Sequence, residues 1–221
     1  MTRYVIDLEA DSLSPTHIWV VCVCDIDAPK REIISFRSSS SFLQKVDVEN
    51  DTFIAHNGIE FDFPVISKIW GVEIKNKMDT LVLSRLFHPD RSGGHSLDAW
   101  GERLGYNKIR FDKFDAYSEE MEEYCRQDVY ITVKLYEHLL EEGMDFSQQS
   151  IELEHDIADI ISRQSNYGFY LDQKKAIDLL FETQSKADTI KSNLKKYFSP
   201  KVKVIRTDLP KYTKNGAISK V

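Results

Sequence analysis

The sequence is short of everything that would carry it across a membrane or knit it with cross-links. Its longest apolar run, Ile18 to Cys24, is far too brief to span a bilayer. No charged segment followed by an apolar stretch opens the chain, so nothing marks it for secretion and a cytoplasmic location is expected. Cysteines number only 3, an odd count (Cys22, Cys24, Cys125) without the spacing of a metal knuckle. Cys22 and Cys24 alternate within a strand-like run, which argues against a disulfide framework and for free thiols in a reducing compartment. Internal repeats and low-complexity tracts are absent as well, so a stacked-repeat array is not expected. Excess positive charge is also missing: the net charge of −7 argues, taken whole, against a non-specific nucleic-acid binder.

What is present is enough for a core. A chain of 221 residues with 42% hydrophobic and 29% charged residues reads as one ordinary globular domain plus an extension. The charge is unevenly spread. Residues 1–159 carry 16 Lys and Arg against 31 Asp and Glu, whereas residues 160–221 carry 13 against 5. Such asymmetry is expected of a segment that faces nucleic acid, or of a basic helix that complements an acidic neighbour.

The first half reads as strands, then as strand and helices alternating. Tyr4 to Ala10, His17 to Ile26 and Arg31 to Arg37 have the β-favouring content of three antiparallel strands, and Thr52 to Ala55 that of a fourth, buried one. A short helix is expected over Ser41–Val46 and longer ones over Phe61–Trp70 and Asp79–Phe87. Further helices should start at Ser96 and at Ser118, the latter running to Glu142 before Gly143. Trp19, Trp70 and Trp100 read as core, and His88 and His95 as solvated loop residues. Together these elements predict an α/β fold, a mixed sheet with helices on its faces. From about residue 148 the chain becomes a helical, increasingly basic extension: Ile151–Tyr167, then Gln173–Phe198, then a lysine-rich tail with a strand-like Val202–Ile205.

Acids interrupt this pattern at three places. Asp7 and Glu9 lie two apart in the first strand and so project from the same face. They are either solvated acids at a frayed strand end or ligands for a divalent cation, which favours clustered carboxylate oxygens. Asp62 stands at the start of a helix after the turn His56-Asn57-Gly58, where a helix dipole alone would account for it. Tyr124 and Asp128, four apart on a helix, share a face that continues into the buried stripe of Ile131 and Leu135. An acid there needs a partner, with Arg126 or a solvated edge as the ordinary choices.

Taken in order, D-x-E, then N-x-x-x-F-D, then Y-x-x-x-D resembles the DEDD superfamily of 3′–5′ exonucleases in its tyrosine-bearing branch. HNGIEFDFP, DTLVLSRLFHP, GGHSLDAWGERLG and YCRQDVYITVKL are similar to the N-terminal proofreading domain of bacteriophage DNA polymerases of the Pol I type (family A). LEHDIADIISRQSNYGFYLD resembles the segment that enters the polymerase region, but nothing resembles palm or fingers.

The resemblance implies a ribonuclease H-like nuclease domain over residues 1–147 and an extension over 148–221. It implies two divalent ions, magnesium or manganese, held by Asp7, Glu9, Asp62 and Asp128, with Tyr124 orienting the attacking water. It implies Leu13, Asn57 and Phe61 along the path of a single-stranded or frayed DNA 3′ end, and nucleoside 5′-monophosphates as products. The expected partner beyond DNA is the remaining polymerase region or a separate polymerase subunit, and no synthesis is expected from this chain alone. An exoribonuclease of the RNase D kind and a catalytically silent DNA-binding module are the competing readings.

Overall fold

The computed structural model describes residues 1–106, 109–198 and 203. Two compact units divide the chain, Met1–Gly168 and Phe169–Val221. The first is built on a five-stranded sheet in the order β3-β2-β1-β4-β5. Strand β1 (Arg3–Ala10) pairs antiparallel with β2 (Ile18–Asp25), which pairs antiparallel with β3 (Ile33–Phe36). On its other side β1 runs parallel to β4 (Thr52–Ala55), and β4 parallel to β5 (Asn76–Asp79). The mixed α/β sheet with an antiparallel opening is therefore present. Strand β5 is the element that periodicity misses, because Asn-Lys-Met-Asp offers one apolar residue and is held through backbone pairing with β4.

Each face of the sheet is covered. Tyr4, Ile6 and Leu8 of β1 pack with Phe42 of α1 (Ser39–Leu43) and with Phe63 and Ile66 of α2 (Asp62–Trp70). The alternate residues Val5, Cys22, Cys24 and Ile54 face Cys125, Val129 and Leu135 of α5 (Glu119–Glu142). Pleating puts Asp7 and Glu9 on the same side as Val5, toward α5. Helices α3 (Thr80–Phe87) and α4 (Leu97–Leu104) brace α5, with Trp100 at the centre and only 1% exposed. All three cysteines are free and buried.

Two expectations change. Trp19 and Trp70 are half-buried rather than core: Trp19 donates its indole N–H to the Phe114 carbonyl, 2.9 Å, and Trp70 lies against Phe42 at the edge of the cluster. His95 is no solvated loop residue; Ser84 Oγ sits 2.8 Å from its Nδ1 and the Pro89 carbonyl 3.1 Å from its Nε2. Helix α6 (Gln148–Tyr167) belongs to the first compact unit, which runs to Gly168. Ser162 Oγ donates to the Ile59 carbonyl at 3.2 Å, and Lys77 pairs with Asp159.

The second unit contributes α7 (Gln173–Tyr197), capped by Asp172 and rich in exposed apolar side chains such as Ile177, Leu180, Phe181 and Ile190. The strand-like stretch 202–205 lies, apart from Lys203, outside the described residues. Among the described residues, no helix is long and apolar enough to cross a membrane.

Candidate active site

A cleft of about 480 Å³ opens at one end of β1. Asp7, Glu9, Leu13, Asn57, Phe61, Asp62, Tyr124 and Asp128 all line it, so the eight residues singled out from sequence meet in one place. Three elements deliver the acids: β1 carries Asp7 and Glu9, the first residue of α2 is Asp62, and α5 carries Asp128 with Tyr124 one turn before it. Glu9, Asp62 and Asp128 are 7%, 4% and 4% exposed, which rules out the reading of acids simply solvated at a surface. Arg126 turns instead to Ser35 Oγ, 3.1 Å away.

Asp62 shows what this crowding does. An acid in the first turn of a helix is ordinarily favoured by the dipole, worth up to ~2 kcal/mol. Here burial, then the negative charges of Asp79 and Asp128, push its carboxyl up to about 7 against an ordinary 3.8. Backbone N–H groups of Asp62 and Leu8 offset only part of this rise. Desolvation and like-charge repulsion thus outweigh the dipole. The Oδ1 atom of Asp62 is buried with no hydrogen-bond partner, an arrangement that costs free energy unless something positive is supplied.

The donor set fits a hard divalent cation. Ligand atoms of Asp7, Glu9 and Cys125 lie within 4.8 Å of one another. Cys125 is not one of the hard donors: burial raises its thiol well above the usual range, and the S–H donates to the Asp7 carbonyl at 3.4 Å. What remains is carboxylate oxygen from strand and helices, the chemistry preferred by magnesium or manganese over zinc.

The loop from β4 into α2 is tightly specified. Asn57 adopts the left-handed region, φ 64°, which asparagine tolerates better than most side chains. Gly58 is required by space, since a Cβ there would sit 2.4 Å from the Ala55 Cβ and 3.0 Å from the Phe63 ring. His56 donates through Nδ1–H to Thr80 Oγ1, 2.9 Å, while that hydroxyl donates to the Ala55 carbonyl.

Sequence reasoning passed over several neighbours. Tyr124 stacks on Phe111 at 5.7 Å, Phe111 meets Phe114 edge-on at 5.1 Å, and the Phe114 carbonyl takes the Trp19 N–H. Two phenylalanines in the otherwise polar FDKF stretch were the available signal. His56, Glu60 and Asn166 also line the cleft. Asn166 comes from α6 and carries no sequence signal, being an exposed polar residue on an amphipathic helix.

A strand-borne D-x-E, an acid opening a helix and a Tyr-x-x-x-Asp helix thus meet around one cleft, in the arrangement that the sequence's resemblance to the tyrosine-branch exonucleases led us to expect. The 3′–5′ exonuclease family model matches residues 5–143, and the chain belongs to this family. It is similar to the DNA-directed DNA polymerases of Escherichia phage T7 and Enterobacteria phage T3, each 27% identical over 259 residues, covering 88% of this chain. Only 37% of either polymerase is covered, so the chain spans little more than a third of these relatives. Among solved structures, Brucella melitensis NrnC superposes with a TM-score of 0.60 at 22% identity, over 75% of this chain and 86% of that one. Its form with bound magnesium gives 0.58 at 21% identity, over 75% and 86%. These likenesses place the sheet and its helices among ribonuclease H-like exonuclease folds.

Proposed function

We propose that this chain is a divalent-cation-dependent 3′–5′ exodeoxyribonuclease, the proofreading part of a phage-type DNA polymerase. The observation that carries the reading is the meeting of Asp7, Glu9, Asp62, Tyr124 and Asp128 in one cleft. Asp7, Glu9, Asp62 and Asp128 would hold two cations. Bound there, the cations would supply positive charge beside the scissile phosphate and lower the pKa of water. They would also offset the four carboxylates, which is how so acidic a unit accepts a polyanion.

Tyr124 orients the attacking water through its hydroxyl. A phenol hydroxyl is a weak base, so it suits a hydrogen-bonding role better than proton removal at neutral pH. Water oxygen bonds to phosphorus as the P–O3′ bond breaks. The upstream strand keeps a 3′-hydroxyl, protonated from solvent, and a nucleoside 5′-monophosphate leaves. Leu13, 92% exposed at the cleft's rim, wedges against the terminal base, with Asn57 and Phe61 along the strand. Such contacts tolerate any sequence but require an unpaired end.

DNA is favoured over RNA because the polymerases cover 88% of the chain. RNA is the competing substrate, because discrimination at the 2′-OH depends on the shape of the pocket. Matched single-stranded DNA and RNA oligomers, labelled at the 5′ end and incubated with magnesium, decide between them. Stepwise shortening of DNA from its 3′ end, with release of 5′-monophosphates, is expected. Preferential shortening of RNA would replace the substrate, and no shortening of either would remove the activity. No deoxynucleotide incorporation is expected from this chain alone.

A further inference from the structure

The loop between β4 and α2 carries Asn57 and Phe61 and delivers Asp62 at the start of α2, and its backbone is tightly bent. Asn57 stands at φ 64°, and Gly58 is pressed against Ala55 and Phe63. A non-glycine residue in the left-handed region needs surroundings that hold it there, even where, as with asparagine, the side chain bears that conformation better than most. The N–H groups of Asn57 and Ile59 belong to neither strand nor helix, so they need acceptors of their own.

One buried side chain supplies both. Asp79 Oδ1 accepts from the Asn57 N–H at 2.9 Å and from the Leu81 N–H at 2.8 Å, while Oδ2 accepts from the Ile59 N–H at 3.0 Å. Asp79 is 2% exposed and ends β5 opposite Ala55, which brings it alongside the loop. As N-cap of α3 it needs only the bond to Leu81. The other two point away from its own helix and serve the loop.

Asp79 is itself held. Its N–H donates to Nε2 of His155 on α6 at 2.9 Å, and His155 Nδ1 lies 2.7 Å from the Ile151 carbonyl. A carbonyl can only accept, so Nδ1 carries the proton and Nε2 is left bare to receive the Asp79 N–H. Helix α6 lies outside the stretch 5–143 that defines the family match. The substrate-side loop is thus fastened from beyond the family's own segment.

We propose that Asp79, seated by His155, is a positioning residue that presets the Asn57–Asp62 loop for the DNA 3′ end. This rests on the exonuclease reading above. Asp79 touches no reacting atom; it acts through the backbone of Asn57 and Ile59.

Asp79→Ser separates its two roles, because serine caps a helix well but is too short to bridge to Asn57 and Ile59. Amide hydrogen exchange and steady-state kinetics on a single-stranded oligonucleotide are the readouts, made on the full chain. Asp79→Ser should speed exchange at Asn57 and Ile59 by about tenfold, the loss of one ordinary hydrogen bond each, while Leu83 and Ser84 in α3 stay protected. KM should rise by about tenfold with kcat changed much less. His155→Leu should reproduce part of both effects, and His155→Gln, whose amide oxygen can accept, should restore them toward the parent. Should Asp79→Ser not fold, the His155 pair gives the same two readouts. A lowered melting temperature without faster exchange at Asn57 and Ile59 would overturn the proposal, as would faster exchange with KM unchanged. Faster exchange in a chain whose parent has no nuclease action would sink the exonuclease reading and leave the clamp standing.

Discussion

Asp7 and Tyr124 stand in the same cleft with unequal duties, and single substitutions separate them. Asp7→Ala should lower exonuclease turnover by at least ~10³-fold, since it removes a ligand and a charge at the reacting phosphate. DNA binding without metal should survive it. Tyr124→Phe, which keeps the ring against Phe111, should cost about tenfold. Equal losses in a single-turnover assay would mean that the tyrosine does more than orient water.

Asp62 gives a second test at this scale. In the folded chain its proton leaves near pH 7, in the unfolded chain near 3.8. Between those values the folded state binds more protons, so stability without cations falls as pH rises through the window. Above it the penalty is complete. Asp62→Asn cannot ionise, so its melting temperature in chelator should gain on the parent from pH 4 to pH 8. A constant gap across that range would contradict the assignment of burial and repulsion to this group. Of the cleft residues, the four acids and Tyr124 were legible in the sequence because acids in apolar patterns conflict with burial and because their order resembles a known family. Asp79, Phe111 and His155 were not, since each acts through a contact that only tertiary structure creates.

At the scale of elements, the turn between β4 and α2 leaves almost no room for change. Gly58→Ala places a Cβ 2.4 Å from that of Ala55, so the loop or the Phe63 ring must shift. The cost should be about 1–3 kcal/mol in urea unfolding, with a rise in KM because Asn57 and Phe61 move with the turn. Ser118→Ala is the contrasting case. It removes the bond to the Met121 N–H and should cost ~1 kcal/mol while leaving KM unaltered, because the N-terminus of α5 is about two and a half turns from Asp128. A KM rise from both would show that general destabilisation explains the first. Strong periodicity and caps made α2, α3, α4 and α5 readable to within a residue or so. Strand β5 was unreadable, since an edge strand of Asn-Lys-Met-Asp owes its place to pairing with β4 rather than to an apolar pattern.

Across the whole molecule, charge organises the account. The acidic portion of the chain gathers four carboxylates around one cleft, and a cation that binds only the folded state must stabilise it. Magnesium at a hundredfold excess over its dissociation constant should add ~2.7 kcal/mol, a gain removed by chelator and largely lost in Asp7→Ala. An unchanged melting temperature with and without magnesium would count against a cation site. The basic character of residues 160–221 was legible from composition, but the extent of the first compact unit was not. Helix α6 reads as part of an extension because its sequence is amphipathic and separate, whereas His155 and Ser162 bind it to the β4–α2 loop and β5.

The most direct measurement couples cation occupancy to chemistry in one sample. Bound manganese, read from the loss of its free-ion resonance signal, is titrated against the rate of 5′-monophosphate release from a single-stranded DNA. The rate should climb in step with manganese bound to the parent chain, and both should fall away in Asp7→Ala. Release that persists in chelator, or manganese bound equally well by Asp7→Ala, would contradict the claim that these acids form one cation-holding catalytic cleft.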